Sequence, residues 1–296
     1  SAYIFIRDGT SWSQQAKLVA GDAAANDYFG ESVSISGDYA LVGARYNDDG
    51  GSDSGSAYIF VRSGTSWSQQ AKLVADDASS SDEFGYSVSI SGDYAVVGAP
   101  RERTSLWDSG SAYTFIRSGT SWSKRAKIAA GDAGSGDKFG SSVSISGDYA
   151  IVGAPYDRDG GNGSGSAYVF KIVALQNAKL VASDAAAGDR FGTSVSIDGD
   201  YAVVGAPYDD GGAGSNSGSA YIFVRDGTSW SQQAKLVADD AASGDNFGWF
   251  VSISGDYALV GAQWDDDGGS NSGSAYIFIR DGTSWSQQAK LVASDA

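Results

Sequence analysis

The sequence repeats itself about every 55 residues, and this periodicity limits the folds open to it. The tripeptide Ser-Ala-Tyr begins at Ser1, Ser56, Ser111, Ser166, Ser219 and Ser274. A second signature, Phe-Gly followed by a version of SVSISGDYALVGA, occurs at Phe29, Phe84, Phe139, Phe191 and Phe247. The chain is therefore an array of one unit, with six copies of one half and five of the other.

Each unit reads as four short strands. SVSIS alternates apolar and polar residues, a tight turn leads to YALVGA, and SAYIFIR turns into SWSQQAKLVA. This alternation, with turn dipeptides at each reversal, indicates antiparallel hairpins. Because one unit cannot bury its own faces, neighbouring units must stack. We therefore predict an all-β fold, a β-propeller of five four-stranded antiparallel blades with a surplus two-stranded half-blade at one terminus.

Phe-Gly before one strand and Gly-Ala-Pro after the next resemble the FG-GAP repeat of integrin-type β-propellers. The motif is complete in residues 84–100, 139–155 and 191–207, whereas Arg45 and Gln263 replace the proline in the first and fifth units. The resemblance covers nearly the whole chain and implies a propeller. Integrin-type propellers usually have more blades, and their calcium loop lies between the first two strands. A tight turn such as Ser36–Asp38 stands there, so the family's calcium sites are not carried over.

The two ends of the chain carry the same segment. Residues 1–23 and 274–296 agree at 22 of 23 positions and differ only at Gly21 and Ser294. Within a single propeller domain spanning residues 1–296, either segment is able to complete the blade that contains residues 247–262. The spare hairpin then completes the open blade of a neighbouring chain, which would propagate into a filament. Alternatively, the chain is one window of a longer array, or the spare hairpin packs locally.

Composition excludes several classes of function. Because Cys and His are absent, thiolate metal sites, cysteine nucleophiles and Ser-His-Asp catalysis are excluded. A net charge of −16 argues against nucleic acid and anionic membranes as partners, and no apolar run is long enough to insert into a membrane. Ser1 begins in the middle of the pattern, so we expect a mature or excised piece of a secreted protein. We expect it to be extracellular and not an enzyme.

Acidic, glycine-rich loops follow the second strand in four units and resemble calcium loops. The candidate Ca²⁺ ligands are Asp48, Asp49, Asp53, Asp157, Asp159, Asp209, Asp210, Asp265 and Asp267. A second acidic set precedes Phe-Gly, as in Asp22 and Asp27, Asp77 and Asp82, and Asp132 and Asp137. The alternative for both sets is a turn-forming role, since Asp, Asn, Ser and Gly are ordinary turn residues. No other cofactor is expected.

The positions at which one unit departs from the others are candidate contact sites for a ligand or partner. Arg101, Arg103 and Trp107 replace the acidic loop of the second unit, and Arg with Trp is typical of interface anchors. The fifth unit carries Trp249 and Phe250, which either contact a sugar or protein partner or fill a gap between blades.

Tryptophans at two further kinds of position are candidate contact residues. Trp264 stands where three other units have tyrosine, and it joins the candidate contact residues. The recurrent tryptophans of the outermost strands either form a ring of ligand sites or pack against the adjoining hairpin (Trp12, Trp67, Trp122, Trp230 and Trp285).

These observations favour an extracellular structural or adhesive repeat protein that self-associates by strand complementation, extending into filaments. The alternative is a multivalent carbohydrate-binding lectin with sites on the propeller loops. A glycan or a protein surface is then a further partner.

Overall fold

The computed structural model describes residues 1–103, 106–172, 175–211 and 213–294, and all regular structure in this part of the chain is β-strand. An N-terminal hairpin consists of β1 (Ala2–Asp8) and β2 (Ser11–Leu18). Blade 1 consists of β3 (Val33–Ser36), β4 (Tyr39–Ala44), β5 (Ser56–Ser63) and β6 (Ser66–Leu73). Blade 2 consists of β7 (Ser87–Ser91), β8 (Tyr94–Ala99), β9 (Ser111–Ser118) and β10 (Ser121–Ile128).

The other three blades follow the same plan. Blade 3 consists of β11 (Ser142–Ser146), β12 (Tyr149–Ala154), β13 (Ser166–Lys171) and β14 (Leu175–Leu180). Blade 4 consists of β15 (Ser194–Asp198), β16 (Tyr201–Ala206), β17 (Ser219–Asp226) and β18 (Ser229–Leu236). Blade 5 consists of β19 (Phe247–Ser254), β20 (Tyr257–Ala262), β21 (Ser274–Asp281) and β22 (Ser284–Leu291).

Each blade is an antiparallel meander in which the strands pair in chain order. The first two strands are joined by a two-residue turn, as between Ser36 and Tyr39, which pair directly. Gly37 has a φ of 57°, which such a hairpin turn requires and glycine adopts freely. The five four-stranded sheets and one two-stranded sheet confirm the predicted fold class. No helix among the described residues is long and apolar enough to cross a membrane.

The first strand of each blade lies beside the first strand of the next, so that β3, β7, β11, β15 and β19 follow one another. Serine hydroxyls join these inner strands. The Ile90 amide donates to Ser34 Oγ at 3.1 Å, and the Ile145 amide donates to Ser89 Oγ at 3.1 Å. The polar face of SVSIS therefore satisfies edge amides that no neighbouring strand pairs.

The hydrophobic core lies between blades. Phe139, from the Phe-Gly of the third unit, is fully buried and stands edge-on to Tyr168 and Phe170, with ring centroids 5.6 Å away in each case. Val96 and Ala112 of blade 2 belong to the same cluster. The equivalent cluster recurs at each junction, so a blade buries its apolar face only against its neighbour.

The C-terminal segment completes blade 5. Strand β20 pairs with β21 from Tyr257 opposite Ile279 to Ala262 opposite Ser274. The N-terminal hairpin is the surplus one and forms a separate two-stranded sheet. It packs against blade 1 in the position of the outer half of a preceding blade. Residues 295–296 of the predicted C-terminal half-blade lie outside the described part of the chain.

Two blade faces are uncovered at opposite ends of the array. Val33 and Ile35 in blade 1 are each 58% exposed, whereas the equivalent Val88 and Ile90 of blade 2 are 6% and 4% exposed. Leu259 in blade 5 is 42% exposed, although the equivalent residue is fully buried in the other four blades. Between neighbouring blades inside the array, the face of one blade that carries the residue equivalent to Leu259 packs against the face of the next blade that carries the residues equivalent to Val33 and Ile35.

Candidate functional site

Each blade holds a lysine whose ammonium group lies among carboxylates. In blade 3, Lys179 Nζ lies 2.7 Å from Asp132 and 3.1 Å from Asp157, and it also contacts Asp159. The Tyr168 hydroxyl shares its one proton between Asp132 at 2.8 Å and Asp157 at 2.9 Å. Asp157 is buried, and the ammonium group and hydroxyl supply the partners that a buried carboxylate needs.

The same arrangement recurs in the other blades. In blade 5, Lys290 Nζ lies 2.8 Å from Asp240 and 2.9 Å from Asp265, and it also contacts Asp267. The remaining clusters are Lys72 with Asp22 and Asp49, Lys127 with Asp77 and Glu102, and Lys235 with Asp184 and Asp209.

In blade 3 the pKa values of Asp132 and Lys179 are shifted towards the charged forms of both groups. Burial raises the pKa of Asp132, but hydrogen bonds from Lys179 and Tyr168 outweigh it and hold this pKa below its usual value. Burial lowers the pKa of Lys179, but hydrogen bonds with Asp132 and Asp159 outweigh it and raise this pKa above its usual value. Charge is thus paired inside each cluster.

Two clusters have the ligands that a hard metal ion prefers. Carboxylate oxygens of Asp132, Asp157 and Asp159 lie within 4.8 Å of one another, as do those of Asp240, Asp265 and Asp267. Such acidic clusters could bind a metal ion, and calcium takes oxygen ligands of this kind. In both clusters, however, the lysine ammonium already contacts all three carboxylates.

The other predicted calcium ligands either close their loops or belong to the remaining lysine clusters. Asp48 accepts a hydrogen bond from the Asp53 amide at 2.8 Å, and Asp210 accepts one from the Asn216 amide at 3.0 Å, so both close their loops. Asp49 and Asp209 belong to the lysine clusters, as do Asp22, Asp77 and Asp132 of the second set. In that second set the later aspartate of each pair accepts a hydrogen bond from the backbone amide three residues earlier. These later aspartates are Asp27, Asp82 and Asp137.

A central cavity of about 870 Å³ lies where the inner strands begin, and all five blades line it. Its charged lining residues are Glu31, Arg45, Glu83, Arg101, Lys138 and Arg190, and its aromatic ones are Tyr86, Tyr156, Tyr208, Trp249 and Phe250. Four cationic and two acidic side chains give the lining a net positive charge.

The cationic groups of the cavity fall into two kinds. Arg45 is paired with Glu31 at 2.7 Å, and Arg101 is paired with Glu83 at 3.1 Å. Lys138 and Arg190 have no paired carboxylate among the described residues and lie over aromatic rings, as Arg45 also does. Lys138 Nζ is 4.7 Å from the Tyr156 ring centroid, and the Arg190 guanidinium is 5.0 Å from the same centroid and 4.3 Å from that of Tyr208.

The structure brings three of the six predicted contact residues to this cavity, namely Arg101, Trp249 and Phe250. Trp249 packs edge-on against Tyr208 of the preceding blade at 5.9 Å between centroids, as expected for a residue that fills a gap between blades. Phe250 is 67% exposed and lies on the uncovered end of the array. Its side chain therefore packs against no following blade.

The other three predicted contact residues lie away from the cavity. The Arg103 guanidinium stacks on Trp107, 3.5 Å from the ring centroid, in the loop of blade 2. Trp264 is 42% exposed and is not among the cavity-lining residues.

Recurrent tryptophans of the outermost strands pack between neighbouring hairpins. Trp67, Trp122 and Trp285 donate their indole N–H groups to Gln15, Gln70 and Gln233, at 2.9, 3.0 and 3.0 Å respectively. Trp12 has no preceding hairpin and is 66% exposed.

The sequence interpretation missed two sets of functional side chains. The cluster lysines recur in the Ala-Lys-Leu of each unit, which is Ala-Lys-Ile in the second unit, so their regular spacing relative to the acidic loops was the available signal. Lys138 and Arg190 each precede a Phe-Gly, but no single unit indicates that these positions converge on one cavity.

Comparison with known proteins agrees with this architecture. A family profile described as FG-GAP repeat matches residues 12–60, 67–115, 122–170, 175–223 and 230–278. A chain in a structure titled "Crystal Structure of Mitotic Checkpoint Complex" is similar in fold, with a TM-score of 0.61 and 12% identity over 99% of this chain and 74% of that chain. No curated protein matches the sequence. Because the five profile matches cover most of its length, the chain belongs to the FG-GAP repeat family.

Proposed function

We propose that this chain is an extracellular structural repeat protein, without catalytic activity, that self-associates by exchanging terminal half-blades. One observation carries the proposal. The same chain presents a spare hairpin, β1–β2, beside blade 1 and a nearly identical hairpin, β21–β22, that completes blade 5. A slot that accepts one of these hairpins fits the other.

Strand β1 has a free edge that matches its twin. In the described part of the chain β1 pairs only with β2, whereas β21 pairs with both β20 and β22. Tyr3 and Phe5 of β1 are 47% and 54% exposed, but the equivalent Tyr276 and Phe278 are buried. Strand β1 of one copy can therefore pair with β20 of a second copy, in the register that β21 of the second copy uses now.

In the exchange, one hairpin replaces a nearly identical one, and a new interface forms between the two copies. When β1–β2 of one copy displaces β21–β22 of another, the contacts within blade 5 are remade by the same residues. The blade so formed also lies against blade 1 of the first copy, where Val33 and Ile35 become buried. Burial of apolar surface contributes about 25 cal/mol per Å², so this added junction is the net driving force.

Hydrogen-bond partners at the two ends are complementary. Ser252 occupies the position of Ser34 and Ser89, whose hydroxyls accept amide hydrogen bonds from the next blade. In the junction between copies it accepts from the Ile35 amide. Trp12 likewise takes the position of Trp285 in the exchanged blade and donates its indole N–H to Gln233 of the second copy, as Trp285 does now at 3.0 Å.

One residue makes this junction weaker than the internal ones. Phe250 stands where the other units have serine, and Ser32 Oγ accepts from the Val88 amide at 2.9 Å. Phenylalanine offers no acceptor, so the Val33 amide at the new junction lacks this bond. Assembly is therefore expected to be reversible and dependent on concentration. Because the contact is heterologous, it extends into open filaments rather than closed dimers.

Family membership supports the extracellular location, since FG-GAP repeats are typical of extracellular proteins. The paired state of the carboxylates supports a non-catalytic role, because general acid–base work needs carboxyl groups free to exchange protons. We also propose that the lysine ammonium groups, rather than Ca²⁺, neutralise the acidic clusters. The multivalent lectin alternative has less support, because three recurrent indoles are engaged between hairpins.

Sedimentation velocity with a disulfide lock tests the exchange. Leu259 and Ile277 pair directly across β20 and β21, and the chain has no other cysteine, so Leu259→Cys with Ile277→Cys forms a single defined bond. The oxidised variant is expected to remain monomeric, and the same sample after reduction is expected to form concentration-dependent oligomers. A strictly monomeric wild-type chain at high concentration would contradict the proposal, as would equal assembly of the oxidised and reduced forms.

A further inference from the structure

We propose that the central cavity binds an acidic oligosaccharide, one that carries carboxylate or sulfate groups. The cavity shares Val33 and Phe250 with the surfaces that the hairpin exchange uses, but Lys138 and Arg190, on which this proposal rests, belong to the third and fourth units. The hairpin exchange and ligand binding in the cavity can therefore be tested independently of each other.

Charge distinguishes the cavity from the rest of the molecule. The chain as a whole carries a net charge of −16, yet four cationic and two acidic side chains line the cavity. Glu31 and Glu83 are held by Arg45 and Arg101. The positive charge that remains belongs to Lys138 and Arg190.

Lys138 and Arg190 are available to an anion. Among the described residues, neither has a carboxylate within 4.0 Å, whereas the lysines of the acidic clusters have two or three. Both are half-buried beside Tyr156. An oxyanion held between them would be partly shielded from solvent, where an ion pair is stronger than on an open surface.

The remaining lining suits the uncharged parts of a sugar. Hydroxyl groups of Ser141 and Thr193 lie beside the two cations, each donating to the backbone carbonyl of Lys138 or Arg190 at 2.8 Å and keeping acceptor capacity. Tyr86 and Trp249 add aromatic surface on which sugar rings stack. A volume of about 870 Å³ lies within the range of ligand pockets and accommodates several sugar rings.

The cavity lining also varies from one unit to the next, whereas the strands around it repeat closely. The residue before Phe-Gly is Tyr28, Glu83, Lys138, Arg190 and Asn246 in the five units, although the flanking residues repeat closely. Three of these positions, Glu83, Lys138 and Arg190, line the cavity, so units of the same fold create one asymmetric site rather than five equivalent ones. This differs from a ring of sites on the loops.

Calorimetric titration of the full chain tests this site with three probes: a galacturonic acid trisaccharide, a sulfated heparin tetrasaccharide and neutral maltotriose. We expect one or both acidic probes to bind and maltotriose not to bind. Binding of the galacturonic acid probe would show that carboxylates suffice, whereas binding of the heparin probe alone would show that sulfate is required, since heparin carries both groups. Binding is expected to weaken as the NaCl concentration rises, because salt screens ion pairs.

Matched variants locate the site. Lys138→Gln with Arg190→Gln is expected to raise the Kd at least tenfold. Arg125→Gln with Arg158→Gln removes the same charge from exposed positions outside the cavity and is expected to leave the Kd within about twofold. Equal losses in the two double variants, equal binding of maltotriose, or no binding of either acidic probe at millimolar concentration would each overturn the proposal.

Discussion

A β-carbon on Gly153 would overlap the backbone carbonyl oxygen of Gly192 in the following blade. Gly261 is the equivalent glycine in blade 5, where the nearest atom to such a carbon is Phe250 Cβ at 3.7 Å. Neither glycine has a positive φ, so the difference between them is one of contact and not of backbone strain. We predict that Gly153→Ala lowers the free energy of unfolding by about 2–4 kcal/mol and that Gly261→Ala changes it by less than about 0.5 kcal/mol. Urea denaturation of both variants checks this, and equal losses would contradict close blade contact.

Gly261→Ala is also expected to abolish self-association while leaving the monomer folded. In the junction between two copies, Gly261 meets Gly30 of the next chain just as Gly153 meets Gly192. The added methyl group therefore blocks docking, while within its own chain it makes only an ordinary van der Waals contact with Phe250. Sedimentation velocity of this variant against the wild type measures the effect, and unchanged oligomers would show that the copies associate elsewhere.

Phe139→Ala is predicted to cost about 3–5 kcal/mol in unfolding free energy, because it removes a fully buried ring from the junction between blades 2 and 3. Phe5→Ala is the control, since Phe5 is 54% exposed in the spare hairpin. Its effect on monomer stability is expected to be below about 1 kcal/mol. Comparable losses from the two substitutions would contradict the location of the core.

Stability is predicted to be higher near pH 5 than at pH 7. Burial raises the pKa of Asp82 to about 6, from an ordinary value of 3.8. As the pH falls through 6 the native state takes up a proton and is stabilised, and this gain is complete once the unfolded chain is protonated as well. Burial shifts the pKa values of the equivalent aspartates in the same direction (Asp137, Asp189 and Asp245).

Below the ordinary aspartate pKa the trend reverses. Burial raises the pKa values of Asp132 and Asp240, but hydrogen bonds from lysine and tyrosine outweigh it and depress them, so their stabilisation is lost as the pH falls further. Asp82→Asn should reduce the difference in melting temperature between pH 5 and pH 7, and Asp239→Asn, at an exposed site, should preserve it. A wild-type melting temperature that is lower at pH 5 would contradict the burial of Asp82.

Lys179→Gln is predicted to create calcium-dependent stability. Removing the ammonium group leaves Asp132, Asp157 and Asp159 without their cation, and a divalent ion then relieves their repulsion. We expect Ca²⁺ to raise the melting temperature of this variant by several degrees and to shift the wild type and a Lys171→Gln control by less than one degree. A large Ca²⁺ shift in the wild type would show that lysine does not exclude the metal.

The repeat period was enough to predict the blades, because apolar alternation in SVSIS and YALVGA specifies which residues face the next unit. It could not determine which terminus completes blade 5, because the segments at 1–23 and 274–296 are nearly identical. The outcome depends on chain connectivity, since β21 directly follows β20 and β1 does not.

The candidate sites were less accessible to sequence reasoning. Aspartate spacing indicated the acidic loops, but Lys179 and Asp132 are separated by 47 residues, and only the stacking of blades 2 and 3 brings them together. The cavity depends on single positions from five units in the same way. Patterns within one unit describe strands, whereas contacts between units form the sites.

The core clusters are shared between blades, and this has a consequence for how such a chain changes length. Every junction joins the same two surfaces, so a whole unit inserted or deleted leaves only junctions of a kind that already exists. A single substitution on a blade face has no such freedom, because the partner surface belongs to another copy of the unit and must change with it. The number of units is therefore easier to alter than the unit itself.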